Sequence, residues 1–422
     1  MEFYNEQVGG KMNDEKLNKI LLRIQNYQDE MIESLGNMIK IPAISPKSGG
    51  EGEVKKANYI LNLISKIGFD NIERIDIPDE SSPDKIRPNI IARIQGKESE
   101  KNIWIVVHMD VVPEGDLKLW ETDPFQPVIK DRKIYGRGVE DNGQDLVAAL
   151  YAAKAIKDEG IKPNNNINIA IVADEETGSD FGIKPLIEKN LFKKDDLIIV
   201  PDGGNKDGTL IEVSEKTIMW IRIRTIGKQC HGSMPERGIN AFKAAMKFGV
   251  KVEAELYSKY NKRDELFDPP ISTFEPTKKE ANVPNINTIP GEDVFFMDCR
   301  ILPDYDPDEV FGTIKETAGF VAKETRAKFE FERPQFDPAA PPTSPDASVV
   351  LALKEAIEKV YNNKPYAGGI GGGTCAAIFR RAGYPAVVWA KLDDTCHAPN
   401  EYSWIENIVN DAKVYATLFC KD

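Results

Sequence analysis

The order of hydrophobic and polar positions divides the chain into segments of two kinds. Three apolar runs, at 102–107, 167–173 and 197–201, each lead directly into acidic or histidine side chains. Because these runs are continuous rather than alternating, we predict strands that are buried on both faces of a sheet. Helical spacing at 15–40 and 146–156 predicts helices that cover such a sheet.

A different pattern begins near residue 215. Residues 217–225 alternate apolar and charged positions, which predicts a half-exposed antiparallel strand. The segments that follow are predicted as a helix, a strand pair, a second helix and a last strand, at 239–260, 287–302, 308–324 and 327–333. The first kind of pattern then returns, with a helix at 349–361 and a buried strand at 385–391.

The sequence therefore predicts an α/β fold in which a smaller domain interrupts a larger one. The catalytic domain is expected at 12–214 and 336–422, with a mostly parallel sheet covered by helices on both faces. An α+β lid or dimerisation domain is expected at 215–335. A length of 422 residues agrees with two domains, since single cores stop growing at about 250–300 residues. Residues 1–11 are expected to be disordered, which leaves Met1 and Met12 as alternative starts.

Charge and composition exclude several classes of partner. The net charge of −13 repels the phosphates of nucleic acids and anionic lipids. No apolar run approaches the roughly 18 residues that span a bilayer, and the N-terminal stretch lacks a signal peptide's apolar core. We therefore expect a cytoplasmic protein with no nucleic-acid or membrane partner. The five cysteines have no C-x-x-C spacing, so we expect reduced structural thiols.

Only three histidines occur in the chain, and the first lies at a predicted strand end. His108 and Asp110 are two residues apart, so their side chains point the same way from an extended backbone. One can bind a metal while the other orients it. H-x-D is also a common pattern, and a capped core histidine is the alternative.

The pair Glu175-Glu176 follows the second strand and is more specific. Two carboxylates that leave a buried strand repel one another unless cations compensate them. Adjacent residues point in different directions, so one can ligate a metal while its neighbour acts as a general base. The alternative is a solvated acidic loop.

Three further side chains complete a set with metal-ligand chemistry. Asp141 follows a glycine-rich turn, Asp202 follows the third strand, and His397 precedes the final helix. Two histidines and three acids fit a two-metal hydrolytic site. Mixed imidazole and carboxylate ligands suit zinc, with cobalt or manganese as substitutes.

These motifs in this order, from about Lys16 to Leu418, resemble the dinuclear zinc peptidase family. That family includes acetylornithine deacetylase, succinyl-diaminopimelate desuccinylase, aminoacylase and glutamate carboxypeptidase. The resemblance implies two Zn²⁺ per subunit, with His108 and Asp202 on one ion. It also implies Glu176 and His397 on the other ion and Asp141 as the bridge between them.

The same resemblance implies the catalytic roles. Asp110 would orient the histidine, and Glu175 would take a proton from the bridging water and pass it to the leaving amine. The inserted domain resembles the family's lid and dimerisation domain, which implies a homodimer. His231 matches the family histidine that reaches across the dimer to the oxyanion, although a surface histidine in a glycine-rich loop is the alternative.

The predicted substrate contacts depend on weaker motifs. Arg300 is similar to a lid arginine that grips a substrate carboxylate, or it is an ordinary strand residue. Gly373 and Thr374 resemble a substrate-binding loop, and Asn240 is either a helix N-cap or a substrate contact. The sequence departs from the family at Asn142-Gly143-Gln144, where many members have a Lys-Gly pair, and at Cys375-Ala376, where desuccinylases show Ser-Asp.

The predicted function is hydrolysis of the amide bond of a small N-acyl amino acid that carries a free carboxylate. A dipeptidase or carboxypeptidase on short peptides is the alternative within enzymes. A non-catalytic binding protein of the same fold is a more distant one, and Glu175 argues against it because a binder needs no base. A cysteine hydrolase that uses Cys230 or Cys396 is weak, since sequence neighbours on a loop rarely face each other. The acyl group itself is not readable from the sequence.

Overall fold

The computed structural model describes residues 14–421, so the predictions about residues 1–11 and the start at Met12 lie outside the described part. The helices of this part are α1 Asp14–Asn26, α2 Gln28–Ile39, α3 Val54–Ile67, α4 Gln144–Asp158, α5 Ile183–Glu188, α6 Ala241–Lys259, α7 Pro307–Thr325, α8 Ser348–Tyr361, α9 Ala376–Arg381 and α10 Ile405–Phe419. The strands are β1 Asn71–Pro78, β2 Ile86–Ile94, β3 Glu98–His108, β4 Val128–Lys130, β5 Lys133–Tyr135, β6 Asn165–Val172, β7 Leu197–Asn205, β8 Leu210–Glu215, β9 Thr217–Ile226, β10 Cys230–His231, β11 Thr273–Lys279, β12 Thr288–Ile289, β13 Glu292–Ile301, β14 Lys328–Asp337, β15 Tyr366–Ile370, β16 Ala386–Lys391 and β17 Tyr402–Trp404.

An eight-stranded sheet in the order β1-β2-β6-β3-β7-β16-β8-β15 is the largest element of the fold. Its centre is parallel, through the pairs β6 with β3, β3 with β7, and β7 with β16. The pairs β1 with β2, β2 with β6, and β16 with β8 are antiparallel. The α/β class is correct, but the sheet is mixed rather than mostly parallel. Continuous apolar runs report burial on both faces and do not fix strand direction.

The parallel centre brings the polar strand ends together. His108 ends β3, Asp174 lies two residues beyond β6, and Asp202 lies in the second half of β7. Parallel neighbours place their carboxyl ends at one edge of a sheet, where ligands of α/β folds bind. The predicted strands at 102–107, 167–173 and 197–201 correspond to these three.

The chain divides into two compact units, residues 1–213, 343–367 and 374–422 in one, and residues 214–342 and 368–373 in the other. The first unit has an apolar core around Trp104, Ile198 and Phe379. In the second, α6 and α7 pack on a four-stranded sheet in the order β11-β13-β9-β14. The return of residues 368–373 to the second unit has no counterpart in the hydrophobic pattern, and the predicted boundaries at 214/215 and 335/336 stay predictions.

Two predicted elements differ from the structure. The helix expected at 15–40 is broken at Tyr27, whose amide donates to Ile24 O three residues back at 3.0 Å, which tightens and ends α1. The segments β12 and β13 within 287–302 do not pair with each other. Instead β12 pairs with β10, while β13 lies between β9 and β11. Among the described residues, no helix combines the length and apolar character that crossing a membrane requires.

The buried carboxyl of Asp411 in α10 should make the stability of the fold depend on pH. Asp411 is fully buried and accepts from Tyr361 Oη at 2.6 Å and Gln144 Nε2 at 2.9 Å. Burial raises its pKa from 3.8 to about 7. Between these values the folded protein holds a proton that the unfolded chain has lost, so the free energy of unfolding falls as pH rises.

We expect Asp411→Asn to remove this contribution, which amounts to at most about 4 kcal/mol across the window from pH 4 to 7. Urea unfolding at pH 5 and pH 7.5, with chelator present in both, measures the change. The free energy of unfolding should decline less between the two pH values in the variant than in the wild type. Equal declines would contradict the raised pKa of Asp411.

Candidate metal centre

The first cluster of ligand-type side chains lies at the carboxyl edge of the sheet. His108, from the end of β3, points Nε2 at Asp141 Oδ1, 2.7 Å away, and at Asp202 Oδ1, 3.4 Å away. Asp141 comes from the irregular turn between β5 and α4, at the cis peptide bond to Asn142. All three ligand atoms lie within 4.8 Å of one another, which is the spacing of groups around one ion.

The second cluster shares one residue with the first. His397 Nε2 lies 3.1 Å from Asp141 Oδ2 and 3.1 Å from Glu176 Oε2. The two oxygens of Asp141 therefore face two different imidazoles. The structure brings together all five side chains that the sequence analysis chose as ligands, from five separate stretches of chain.

Burial and neighbouring charges shift the pKa values of the acids in both clusters. Burial, followed by the charge of Asp141, raises the pKa of Glu176 to about 7. Burial also raises the pKa of Asp202 above its ordinary value. Burial opposes ionisation of Asp141 as well, but His108 and His397 hold its pKa well below the ordinary range.

The histidines respond in the opposite direction. Hydrogen bonds to Asp141 and Glu176 raise the pKa of His397 to about 10, although its side chain is 55% exposed. Burial alone would lower the pKa of His108, yet the charge of Asp141 and contacts with neighbouring acids raise it well above 6.5. The raised pKa values of Glu176, His108 and His397 show that the site favours additional positive charge. Its carboxylates outnumber its positive groups, so divalent cations fit there. Two imidazoles and three carboxylates, of which Asp141 is shared by both clusters, suit a pair of divalent ions such as zinc.

Asp110 differs in detail from the prediction that its carboxylate orients His108. His108 Nδ1 lies 3.0 Å from the backbone oxygen of Asp110, whereas the nearer carboxylate oxygen is 3.6 Å away, too far for a hydrogen bond. The carboxylate instead accepts from the amides of Glu175 at 3.2 Å and Glu176 at 3.1 Å. Asp110 thus fixes the backbone of the acidic pair, and its main chain contacts the imidazole.

Glu175 lies in the short 3₁₀ turn after β6, next to its neighbour Glu176. Burial, followed by the charge of Asp202, raises its pKa well above 4.5 in the protein without metal. It belongs to neither ligand cluster. A half-buried carboxyl beside the ligands but not among them has the placement of a proton-transfer group.

At Asn142-Gly143-Gln144 the chain keeps the glycine of the family's Lys-Gly pair and replaces the lysine by Asn142. A Cβ at Gly143 would lie 2.4 Å from Gly138 O and 2.6 Å from a methyl of Leu35, so no larger side chain fits there. Asn142 accepts from His108 N at 3.3 Å and donates to the carbonyl of Pro201, the residue before Asp202. The asparagine therefore joins the two strand ends that carry the first ligand cluster.

The sequence analysis did not single out two buried acids next to the ligand loops, Glu140 and Glu401. The carboxylates of Glu140 and Glu401 are buried and accept hydrogen bonds from backbone amides on either side of the site. Glu140 directly precedes Asp141, and Glu401 lies four residues after His397. This closeness to two ligands in the sequence was the available signal, but a single sequence does not distinguish buried acids from solvated ones.

The predicted substrate contacts lie in different surroundings. Arg300 is bound at both ends of its guanidinium, since Nε and Nη2 donate to Asp298 at 2.7 and 3.0 Å and Nη1 donates to Gly371 O at 2.6 Å. Its side chain remains 29% exposed. Asn240 caps α6 by accepting from Lys243 N at 2.9 Å, which is the alternative that the sequence left open.

Thr374 of the glycine-rich loop and His231 each accept a hydrogen bond from a nearby backbone amide. Thr374 follows Gly373, and its hydroxyl accepts from Ala376 N at the start of α9. His231 is exposed, and its Nδ1 accepts from the amide of Ser233 at 3.2 Å. An Nδ1 that accepts leaves the proton on Nε2, so the exposed edge of the ring is a donor.

All five cysteines are free, in agreement with the absence of a disulfide framework. Cys230 Sγ donates to Met234 O at 3.4 Å, and Cys396 Sγ donates to Asp394 Oδ1 at 3.7 Å. Burial and neighbouring acids hold the pKa of Cys396 far above its ordinary value. A thiol in that state is a poor nucleophile, which argues against Cys396 as the nucleophile of a cysteine hydrolase.

The fold and the two ligand clusters define a metallohydrolase. The model of peptidase family M20/M25/M40 matches residues 104–421, and the chain belongs to this family. An uncharacterized metallohydrolase of Methanococcus maripaludis is 41% identical over 412 residues, which cover 93% of this chain and 99% of that protein. A succinyl-diaminopimelate desuccinylase of Wolbachia pipientis is 26% identical over 388 residues, with 91% of each chain covered. Human carnosine dipeptidase 1 has the same fold, with a TM-score of 0.71, 18% identity, and coverage of 96% of this chain and 98% of that one.

Proposed function

We propose that the protein hydrolyses the amide bond of a small N-acyl amino acid with the help of two zinc ions. The observation that carries this proposal is Asp141, whose two oxygens face His108 and His397 at 2.7 and 3.1 Å. A carboxylate held between two ligand clusters is the bridge that a two-metal hydrolase requires. Cobalt and manganese are substitutes with the same ligand preferences.

The ligands divide between the two ions as the clusters divide. His108 and Asp202 would hold one ion, Glu176 and His397 would hold the other, and Asp141 would contribute to both. When bound, such a pair supplies a water molecule of lowered pKa and a Lewis acid for the scissile carbonyl. Binding requires deprotonated ligands, so uptake of metal releases protons from Glu176 and His397 below their raised pKa values.

Glu175 moves the proton in the proposed reaction. Its ionised carboxylate accepts a proton from the attacking water and then donates it to the nitrogen of the leaving amine. Asp110 fixes the amides of Glu175 and Glu176, which keeps the base and the ligand in their different orientations. A binding protein of the same fold has no use for this base, which argues against the non-catalytic alternative.

Substrate recognition is proposed for Arg300, Gly373, Thr374 and Asn240. Arg300 retains N–H groups beyond those that Asp298 and Gly371 accept, and a guanidinium pairs well with a carboxylate. The backbone amides at Gly373 and Thr374 suit an anionic group. For Asn240 only the amide nitrogen is free for this role, because its oxygen caps α6.

A homodimer through the second unit is part of the proposal. Strand β11 lies at one edge of the four-stranded sheet, and α6 beside it exposes Met246 and Val250 by 51% and 72%. A groove of about 350 Å³ between them is lined by Phe242, Met246 and Phe295, among others. An unpaired edge beside exposed apolar side chains supports an interface with a second copy. His231 would then complete the site of the partner.

The alternative is a dipeptidase or carboxypeptidase, which uses the same water attack on a peptide carbonyl. The relative named desuccinylase covers nearly the whole chain and supports the deacylase. The similarity to carnosine dipeptidase 1 supports the fold alone at 18% identity.

Elemental analysis together with a substrate panel tests the proposed function. We expect two zinc ions per chain and hydrolysis of acetylornithine or succinyl-diaminopimelate in preference to dipeptides. Chelator should abolish turnover, and added zinc should restore it. Activity confined to peptides would remove the deacylase in favour of the alternative, and full activity after complete metal removal would overturn both.

A further inference from the structure

The turn that carries Asp141 is held by a carboxylate from the loop that carries His397. Glu401 is fully buried, and its side chain accepts from the amides of Gly138, Glu140 and Asp141 at 3.0 to 3.2 Å. Glu401 also accepts from Arg137 Nη1 at 2.7 Å. Every oxygen of this carboxylate is therefore occupied by donors from the Asp141 turn.

The reverse contact is made by the residue immediately before Asp141. Glu140 accepts from the amide of Asp393 at 2.7 Å, from the hydroxyl of Thr395 at 2.7 Å and from the amide of Thr395. These donors belong to the loop that leads into His397. Each loop thus places one buried carboxylate against the main chain of the other.

Two further contacts join the same pair of loops. Gly136 N donates to the backbone oxygen of Glu401 at 3.0 Å, and Arg137 Nη2 donates to His397 O at 3.3 Å. His397 itself has a positive φ of 60°, a conformation that a non-glycine residue adopts only when its surroundings hold it. The loop therefore depends on these contacts for its shape.

We propose that Glu140 and Glu401 form a reciprocal clamp that sets the separation of Asp141 and His397 and so builds the second metal position. The clamp rests on the two-metal site of the proposed function. Neither glutamate belongs to a ligand cluster, and both are assigned as positioning residues. They act through the peptide groups next to the ligands.

The two metal positions depend on the clamp to different degrees. His108 and Asp202 come from the adjacent parallel strands β3 and β7, whose spacing is fixed by the sheet. The second position combines Glu176 with Asp141 and His397, and the clamp joins the loops of the last two. Loss of the clamp should therefore weaken the second position much more than the first.

Glutamine tests the clamp with little change of shape. In Glu401→Gln and Glu140→Gln, one acceptor oxygen becomes an NH₂ group that faces backbone N–H donors. Glu406→Gln is the matched control, because Glu406 is exposed near the start of α10 and its loss removes the same charge. Thr395→Val is a milder variant that removes the hydroxyl donor to Glu140 together with the hydroxyl's contacts with the main chain of Tyr402, and it leaves both clamp carboxylates in place.

Titration of the metal-free proteins with buffered zinc measures the affinity of each equivalent. We expect two equivalents in the wild type and in Glu406→Gln. In the two glutamine variants the weaker equivalent should lose about 10- to 100-fold in affinity, as other carboxylates behind metal ligands do, with the tighter one nearly unchanged. Thr395→Val should shift the same equivalent by a smaller factor, and saturating zinc should restore kcat with KM unchanged.

Wild-type affinity for both equivalents in all three clamp variants would overturn the proposal, and so would an equal loss at both positions. A glutamine variant that fails to fold, judged by near-UV circular dichroism, leaves Thr395→Val to decide between these results. A wild-type protein that binds fewer than two ions would instead refute the proposed two-metal site.

Discussion

Glu175→Ala should lower kcat by about 10²- to 10⁴-fold while the protein keeps both metal ions. The expectation follows from position, since Glu175 is half-buried beside the ligands yet belongs to neither cluster. Alanine removes the group that accepts the proton of the attacking water, and it leaves all five ligands in place. Steady-state kinetics with parallel elemental analysis of the same samples measures both quantities.

The neighbouring residue supplies the control for this experiment. Glu176→Ala removes a carboxylate that lies 3.1 Å from His397 Nε2, so it should lose metal and activity together. The two adjacent substitutions thus separate proton transfer from metal binding within one turn of chain. Comparable turnover in Glu175→Ala and the wild type would refute the assignment of the base.

Much of the candidate site follows from the sequence because its ligands stand at the ends of strongly apolar strands. The runs before His108 and Asp202 are continuous, and continuous runs identify strands buried on both faces. The centre of the sheet is parallel, so these strand ends meet at one edge. Asp141 and His397 lie on loops, where only their order within a family motif identified them.

The parts that the sequence did not reveal depend on contacts between distant segments. The direction of the outer strands of the sheet is one, since an apolar run looks the same in parallel and antiparallel pairs. The carboxylate of Asp110 is another, because its partners are backbone amides that leave no trace in residue type. Glu140 and Glu401 were missed for the same reason. Carboxylates that bind main chain are indistinguishable in a sequence from carboxylates that face water.

The residue after the bridging acid shows how a local difference is absorbed. Many family members carry a lysine-glycine pair there, and this chain keeps the glycine as Gly143, where a Cβ would meet Gly138 O and Leu35. Asn142 stands in place of the lysine and accepts from His108 N, while Gln144 donates to Asp411. The difference in sequence therefore does not remove a ligand.

His231→Ala should lower kcat by about 10²- to 10³-fold, the usual effect of removing one oxyanion donor, with metal content unchanged. The proposed role requires a donor at Nε2, which the contact from Ser233 N to Nδ1 provides. His231 and the residues that follow it, Gly232 to Met234, are exposed, so alanine should not disturb folding. Measurement of kcat and of bound zinc in one preparation separates this role from a structural one, and unchanged kinetics would remove it.

Mixing two inactive variants tests whether His231 serves the site of its own chain or that of a second copy. Chains with His231→Ala keep Glu175, and chains with Glu175→Ala keep His231. If the histidine acts across a dimer, a mixed dimer has one complete site, so equal mixing after dissociation should restore about a quarter of wild-type activity. If it acts within its own chain, no mixed dimer contains a complete site and activity stays at the level of the single variants. That result would overturn the proposal that His231 completes the site of the partner. A protein that remains monomeric at assay concentration would overturn it as well.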